Sequence, residues 1–225
     1  MFVCLFDIDG TLLNSGGAGR AALELAFCEE FGFSEMRGRV SYSGRTDRSI
    51  MREILHMHEL DAHEEHFDRL IAGYLKRLPD SLQRNQGTVL PGVLDLLKTI
   101  SGRQEKVAMG LLTGNIQAGA RTKLGHFGLF DFFKFGGFGD LHWERDDVAR
   151  EALEQVRTNV GEFVEPQNIL VIGDTPLDVQ CARAIGVKAI AVTTGWHSAE
   201  ELQATNPDLL LADLSDPSPI VGHWE

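Results

Sequence analysis

Only three cysteines occur in the 225 residues, Cys4, Cys28 and Cys181. An odd number spaced so widely makes no disulfide framework, so free thiols in a reducing compartment are expected. Cys4 sits in the first apolar run and is expected in the core. No stretch approaches the roughly 18 consecutive apolar residues of a membrane span. The first apolar run meets Asp7 at once and has no basic leader, so no secretory signal is read and a cytoplasmic protein is expected. Low-complexity segments and internal repeats are also absent. Positive charge is scarce: 21 Lys and Arg face 33 Asp and Glu, a formal net charge of −12. That balance disfavours nucleic acid and anionic membranes as partners, because no basic surface offsets phosphate repulsion. A small anionic ligand stays admissible, since a metal, an Arg and backbone N–H groups together reverse the potential locally.

What is present has the size of one α/β domain, or of a core with a smaller inserted domain. Short apolar runs at Phe2–Ile8, Lys106–Leu112, Phe132–Phe135, Asn168–Ile172, Lys188–Val192 and Asp208–Leu211 read as strands. Most do not alternate, as expected for strands covered on both faces of a parallel sheet. Helices are expected between them at Val93–Ile100, Ile116–Leu124, Asp147–Arg157 and Leu177–Ile185. The pattern argues for a doubly wound parallel, Rossmann-like α/β core. From Ser15 to Thr88 no strand is convincing. Ala18–Phe31, Thr46–His58 and the helical spacing of Phe67, Leu70, Ile71, Tyr74, Leu75 and Leu78 predict an inserted α-helical cap over 15–88. Residues 1–14 and 89–225 would form the core, with Asn14–Gly17 and Gly87–Pro91 as linkers. The tail after Asp213, with Pro217 and Pro219, reads as irregular.

Chemistry gathers at the carboxyl ends of the strands, where open α/β sheets bind ligands. In Phe6-Asp7-Ile8-Asp9-Gly10-Thr11, two carboxylates two residues apart would face one small volume. Like charges so close repel unless a cation or a shared proton intervenes. A hard, oxygen-seeking ion such as Mg²⁺ suits them. One carboxylate can then be nucleophile and the other acid and base. After the second core strand, Thr113-Gly114-Asn115 offers a hydroxyl, a small amide and a helix start, which make an anion cradle. The same triplet also serves as a helix cap and turn. After the fourth, Gly173-Asp174-Thr175-Pro176-Leu177-Asp178 places two more acids one helical turn apart. They either complete a metal shell or cap the next helix.

Together, DIDGTLL, GLLTGN and GDTPLD resemble the haloacid dehalogenase superfamily of phosphohydrolases, over nearly the whole chain. Leu90-Pro91-Gly92-Val93 through Leu97 resembles that family's return from cap to core. The resemblance implies Asp7 as nucleophile and Asp9 as acid and base. It implies Mg²⁺ on the carboxylates of Asp7 and Asp174 and the backbone carbonyl of Asp9, with Asp178 acting through water. Thr113, Gly114 and Asn115 would hold phosphoryl oxygens. The family's usual Lys after the third strand is missing, since none lies between Lys134 and Lys188. Arg145 is the expected replacement, able to clamp phosphate bidentately. Arg150 is the fallback, and Lys134 is set too close to the strand.

In the cap, Ser41-Tyr42-Ser43-Gly44-Arg45-Thr46-Asp47 resembles a substrate-recognition loop. Arg45 either meets an anionic group on the substrate or pairs at the surface with Asp47. His56, His58, His63 and His66 are expected as solvated cap histidines rather than metal ligands. Trp196 and His197 either line the rim or pack. The expected activity is Mg²⁺-dependent hydrolysis of a small phosphorylated metabolite, phosphoglycolate being the nearest by resemblance. The alternatives are a 2-haloacid dehalogenase, a phosphomutase and a non-catalytic phosphate-binding regulator. A phosphonate hydrolase is discounted, because Lys76, the one lysine of the insert, sits late in a helix.

Overall fold

The computed structural model describes residues 1–161 and 163–224. Six parallel strands form the main sheet: β1 (Phe2–Phe6), β4 (Val107–Leu112), β5 (Gly136–Gly137), β6 (Ile169–Gly173), β7 (Lys188–Val192) and β8 (Leu209–Leu211). Their spatial order is β5-β4-β1-β6-β7-β8. The chain thus winds outward from β1 in one direction, then in the other, and β1 lies at the reversal. Alternate residues of each strand enter opposite cores. Cys4, Phe6, Met109, Leu111, Leu170 and Ile172 pack on one face, with Leu96, Leu97 and Ile100 of α4 (Val93–Ser101) and Leu124 of α5 (Gln117–His126). Val3, Leu5, Ile169, Val171, Ala189 and Ala191 pack on the other. There they meet Val148, Ala152 and Val156 of α6 (Arg145–Asn159) and Val179 and Ala182 of α7 (Pro176–Ala184). Both faces are dry, which is why the strand sequences are apolar without alternation.

Between β2 (Leu13–Asn14) and β3 (Thr88–Val89) run α1 (Ala18–Phe31), α2 (Asp47–Met57) and α3 (Glu64–Arg84). These helices have an apolar core of their own around Phe27, Met51, Ile54, Leu55, Phe67, Leu70 and Leu78. β2 and β3 pair antiparallel, so the outgoing and returning chains run side by side. Among the described residues no helix is long and apolar enough to cross a membrane.

Two expectations are corrected. The third core strand is Gly136–Gly137, not Phe132–Phe135; Phe130–Phe132 instead forms a 3₁₀ turn. The cause is steric. A Cβ on Gly137 would lie 2.3 Å from the Val148 carbonyl oxygen, and one on Gly136 would lie 2.8 Å from Leu111 Cβ. Only glycine lets α6 and β4 approach this edge, and glycine carries almost no strand signal. The tail is not irregular: α9 (Ser218–Val221) and a following 3₁₀ turn bury Ile220 and Trp224 against the core. Proline is tolerated in a first helical turn, so Pro219 starts this helix rather than forbidding it. A further short helix, α8 (Ala199–Ala204), is opened by a capping box of Ser198 and Glu201.

Candidate active site

Asp7 emerges from the end of β1, and its N–H donates to the Ile172 carbonyl of β6 (2.9 Å). Its carboxylate is buried. Burial pushes its pKa up to about 7, with Asp178 and Asp9 adding to the rise and Arg145 opposing it. The next turn is tight. Gly10 adopts φ 88° and donates to the Leu13 carbonyl (2.8 Å). A Cβ there would sit 2.3 Å from Asp174 Oδ2, so the turn requires glycine both for its dihedral and for its approach.

Asp174 follows β6 directly and is buried, with Thr11 Oγ1 donating to its Oδ1 (3.2 Å). Gly195 presses on it from the other side: a Cβ there would meet Asp174 Oδ2 at 1.7 Å. Asp178 closes the group. Oxygens of Asp7, Asp174 and Asp178 all lie within 4.8 Å of one another. The two readings of the fourth motif coexist, because Thr175 caps α7 while Asp178 Oδ2 accepts from the Thr175 N–H (3.0 Å) and hydroxyl (2.8 Å). Arg145, the first residue of α6, is buried beside them. Its Nη2 donates to Asp178 Oδ1, and its Nη1 lies 3.5 Å from Asp7 Oδ1. The guanidinium is therefore given chiefly to Asp178. Arg150, by contrast, is exposed and pairs with Asp147, and Lys134 donates to the Asp131 carbonyl.

Three buried acids thus share one guanidinium. Asp174 has no ion-pair partner among the described residues, and burial followed by the charges of Asp178 and Asp7 holds its pKa well above the usual range. Such a cluster of hard oxygens short of positive charge fits a divalent cation in its donor chemistry.

On the other flank, Asp9 has its own partners. Lys123 Nζ and Asn115 Nδ2 donate to Asp9 Oδ2 (2.6 and 2.9 Å), and Ser15 Oγ donates to Oδ1 (3.3 Å). Partial burial would raise the Asp9 pKa, but Lys123 and the other donors outweigh it and hold the group below its ordinary value. Thr113 is fully buried, and its Oγ1 accepts from both the N–H and the Nδ2 of Asn115 (3.3 and 2.9 Å). At the start of α5 the Ile116 and Gln117 N–H groups donate to Asp47 Oδ2 (2.8 Å) and Asp140 Oδ2 (2.7 Å). Asp47 N–H in turn donates to the Gly114 carbonyl (2.7 Å). Gly114 lets this loop settle, since a Cβ there would lie 2.0 Å from the Arg45 carbonyl oxygen.

Arg45 pairs neither with Asp47 nor with the acid cluster. Its guanidinium donates to Glu53 and to the carbonyls of Ser41 and Ser49 (both 3.1 Å). His58 is not solvated. It is buried between Phe27 and Phe33, with Nδ1 against the Ile54 carbonyl (2.8 Å) and Nε2 accepting from the Arg37 N–H (2.9 Å). His56 and His63 are exposed as expected. Trp196 is 91% exposed, while His197 Nε2 lies 3.2 Å from Ser43 Oγ of the insert. The reading from sequence missed Lys123 and Asp47. Lys123 belongs to no motif, and Asp47 resembles an ordinary first-turn acid following the Thr46 cap.

Comparison with known proteins agrees with this geometry. The family model described as haloacid dehalogenase-like hydrolase matches residues 4–192. A phosphoglycolate phosphatase of Synechococcus elongatus is 30% identical over 96% of this chain and 95% of its own. The validoxylamine A 7'-phosphate phosphatase of Streptomyces hygroscopicus subsp. limoneus is 29% identical over 95% and 94%. The crystal structure of a hydrolase from Pseudomonas syringae shares the fold with a TM-score of 0.73 at 19% identity, covering 99% of this chain and 98% of its own. By its acid-bearing strand ends, its sheet order and these likenesses, the chain belongs to the haloacid dehalogenase-like hydrolases.

Proposed function

We propose that this enzyme hydrolyses small phosphomonoesters through an aspartyl-phosphate on Asp7, with a divalent cation, Mg²⁺ by its oxygen-only donors, as cofactor. The observation that carries this reading is the division of labour among the acids. Asp7 clusters with Asp174 and Asp178 beside the Arg145 guanidinium, whereas Asp9 is held apart by Lys123 and Asn115. Uncatalysed phosphomonoester hydrolysis calls for accelerations of up to about 10²¹-fold, and a covalent intermediate splits it into two easier steps. A carboxylate oxygen of Asp7 attacks phosphorus as the bond to the leaving oxygen breaks. Asp9 gives that oxygen a proton, then takes one from the water that cleaves the Asp7–phosphate bond. The ionised state in which Lys123 holds Asp9 suits the second step. Thr113 and the Gly114 and Asn115 backbone bind phosphoryl oxygens, and Arg145 compensates their charge. The carboxylates of Asp7 and Asp174 with the backbone carbonyl of Asp9 would hold the cation, Asp178 acting behind them; when bound it neutralises phosphoryl charge. The helices of 15–88 act as a cap, and the substrate is a soluble metabolite handled in the cytoplasm.

Phosphoglycolate is the favoured substrate because phosphoglycolate phosphatases are among the relatives that the chain resembles at 30% identity. The engagement of Arg45 by Glu53 means that an anionic leaving group has to compete for that guanidinium. Phosphate release from a panel of phosphomonoesters, phosphoglycolate included, with and without Mg²⁺, tests the proposal. Release that disappears on chelation is the expected result. Turnover indifferent to chelation removes the cation, and chloride release from a 2-haloacid would point to the dehalogenase.

The glycine beside Asp174 gives a sharper check. Gly195→Ala should displace the Asp174 carboxylate, because the new methyl overlaps Oδ2. Misplacing a site group by about 1 Å costs about 10²-fold in rate. The variant should also need more Mg²⁺ for half-maximal activity. An unchanged Mg²⁺ titration would show that Asp174 is not a ligand.

A further inference from the structure

Lys123 has no counterpart among the motifs, yet its surroundings are more specialised than those of any other lysine here. It lies on α5 with a side chain only 7% exposed. Its Nζ donates to Asp9 Oδ2 and Asn115 Oδ1, each at 2.6 Å. The pocket around it is built from the insert as well as the core. A Cβ on Gly19 of α1 would sit 3.1 Å from Nζ and 3.2 Å from Cε, and the Tyr74 hydroxyl of α3 lies 3.8 Å from the same point. Gly19, in the first turn of α1, thus leaves room for the ammonium. Burying an ammonium costs several kcal/mol before its partners repay it, and apolar replacements of buried pairs are often neutral or stabilising. Stability alone therefore does not account for this lysine. Geometry supplies a reason. Asp9 immediately precedes Gly10, and its side chain is 37% exposed, so its χ angles are free unless held. Lys123 and Asn115 together grip one oxygen, Oδ2, and leave Oδ1 to a single long contact from Ser15 (3.3 Å).

Resting on the phosphatase reading above, we infer that Lys123 is a positioning residue, which fixes the Asp9 carboxyl so that Oδ1 addresses the leaving oxygen of the substrate. Its effect should then depend on how much the leaving group needs a proton. In Lys123→Met, kcat/KM for an alkyl phosphate, which reports the steps up to departure of the leaving group, should fall about 10²-fold, the lower end of what positioned acid–base help supplies. For p-nitrophenyl phosphate, whose leaving group departs with little help, kcat/KM should change less than about threefold. Competitive inhibition by inorganic phosphate should stay as in wild type. Thermal unfolding confirms the folded state. Should Lys123→Met not fold, the same pair of substrates is compared in Gly19→Ala, which crowds Nζ without removing it and should show the same skew in smaller measure. Equal losses on both substrates, or no loss on either, overturn the inference and leave a structural lysine. The phosphatase reading fails separately, if wild type releases no phosphate or if Asp7→Asn retains turnover, and the inference falls with it.

Discussion

Asp7→Asn is expected to reduce kcat by about 10⁴-fold or more, the scale seen when a covalent nucleophile is removed. The protein should nevertheless fold at least as well as wild type. The reason lies in the acid cluster: burial and the charges of Asp178 and Asp9 hold the Asp7 pKa at about 7, above its ordinary value of 3.8. A group that binds its proton more tightly folded than unfolded makes stability fall as pH rises between those two values. In metal-free buffer wild type should therefore lose stability from about pH 4 to about pH 7. The uncharged amide should flatten that slope and leave the variant the more stable of the two at pH 7. Urea unfolding across this range, paired with phosphate release, checks both parts. A trapped phosphate adduct on the Asp7 peptide of wild type, absent from the variant, would identify the covalent step. Substantial turnover by pure Asp7→Asn would eliminate it.

Arg145→Met should have the opposite signature, losing stability and activity together. Arg145 is the one guanidinium among three buried carboxylates, and removing one member of such a buried pair typically costs about 3–5 kcal/mol. Activity should fall by about 10²–10³-fold, as when a preorganised transition-state donor is lost. The stability deficit should shrink toward acid pH, where Asp7 and Asp174 take up protons and no longer need the cation. It should also shrink with added Mg²⁺, which supplies the missing charge. Arg145→Lys should recover much of the stability but less of the rate, because an ammonium cannot reach Asp178 and Asp7 as a fork does. A melting temperature indifferent to the Met substitution at neutral pH would mean that the cluster is compensated in some other way.

How much of this was legible in the sequence depends on the kind of signal. Asp7, Asp9, Asp174 and Asp178 sit at strand ends within ordered motifs, so placing the strands placed the acids. Arg145 is expected only through the family resemblance, as the replacement for the lysine usual after the third strand. The Gly136–Gly137 strand was misplaced because its glycines answer to the atoms of Val148 and Leu111, distant in sequence. Arg45 was read toward a substrate because nothing local shows that Glu53, eight residues on, claims it. Lys123 was invisible for a related reason. It is one cation on a helix of low amphipathicity, 114 positions from the carboxylate it grips, and only the folded α1–α3–α5 junction reveals that it is buried. Motifs expose groups that act in fixed order along the chain, whereas groups recruited across the fold leave no such trace.

The β2–β3 ribbon carries a consequence for the lineage of this architecture. The chain leaves the sheet at Leu13–Asn14 and comes back at Thr88–Val89, and the two crossings are hydrogen-bonded side by side. With its ends fastened together in this way, the length of whatever lies between barely registers in the core, since loop-closure entropy grows only by about 0.6 kcal/mol per doubling. The acid-bearing strand ends can thus stay in place while the intervening segment is enlarged, trimmed or exchanged. One hydrolytic engine of this design can acquire new clients by trading a module at a single clasp.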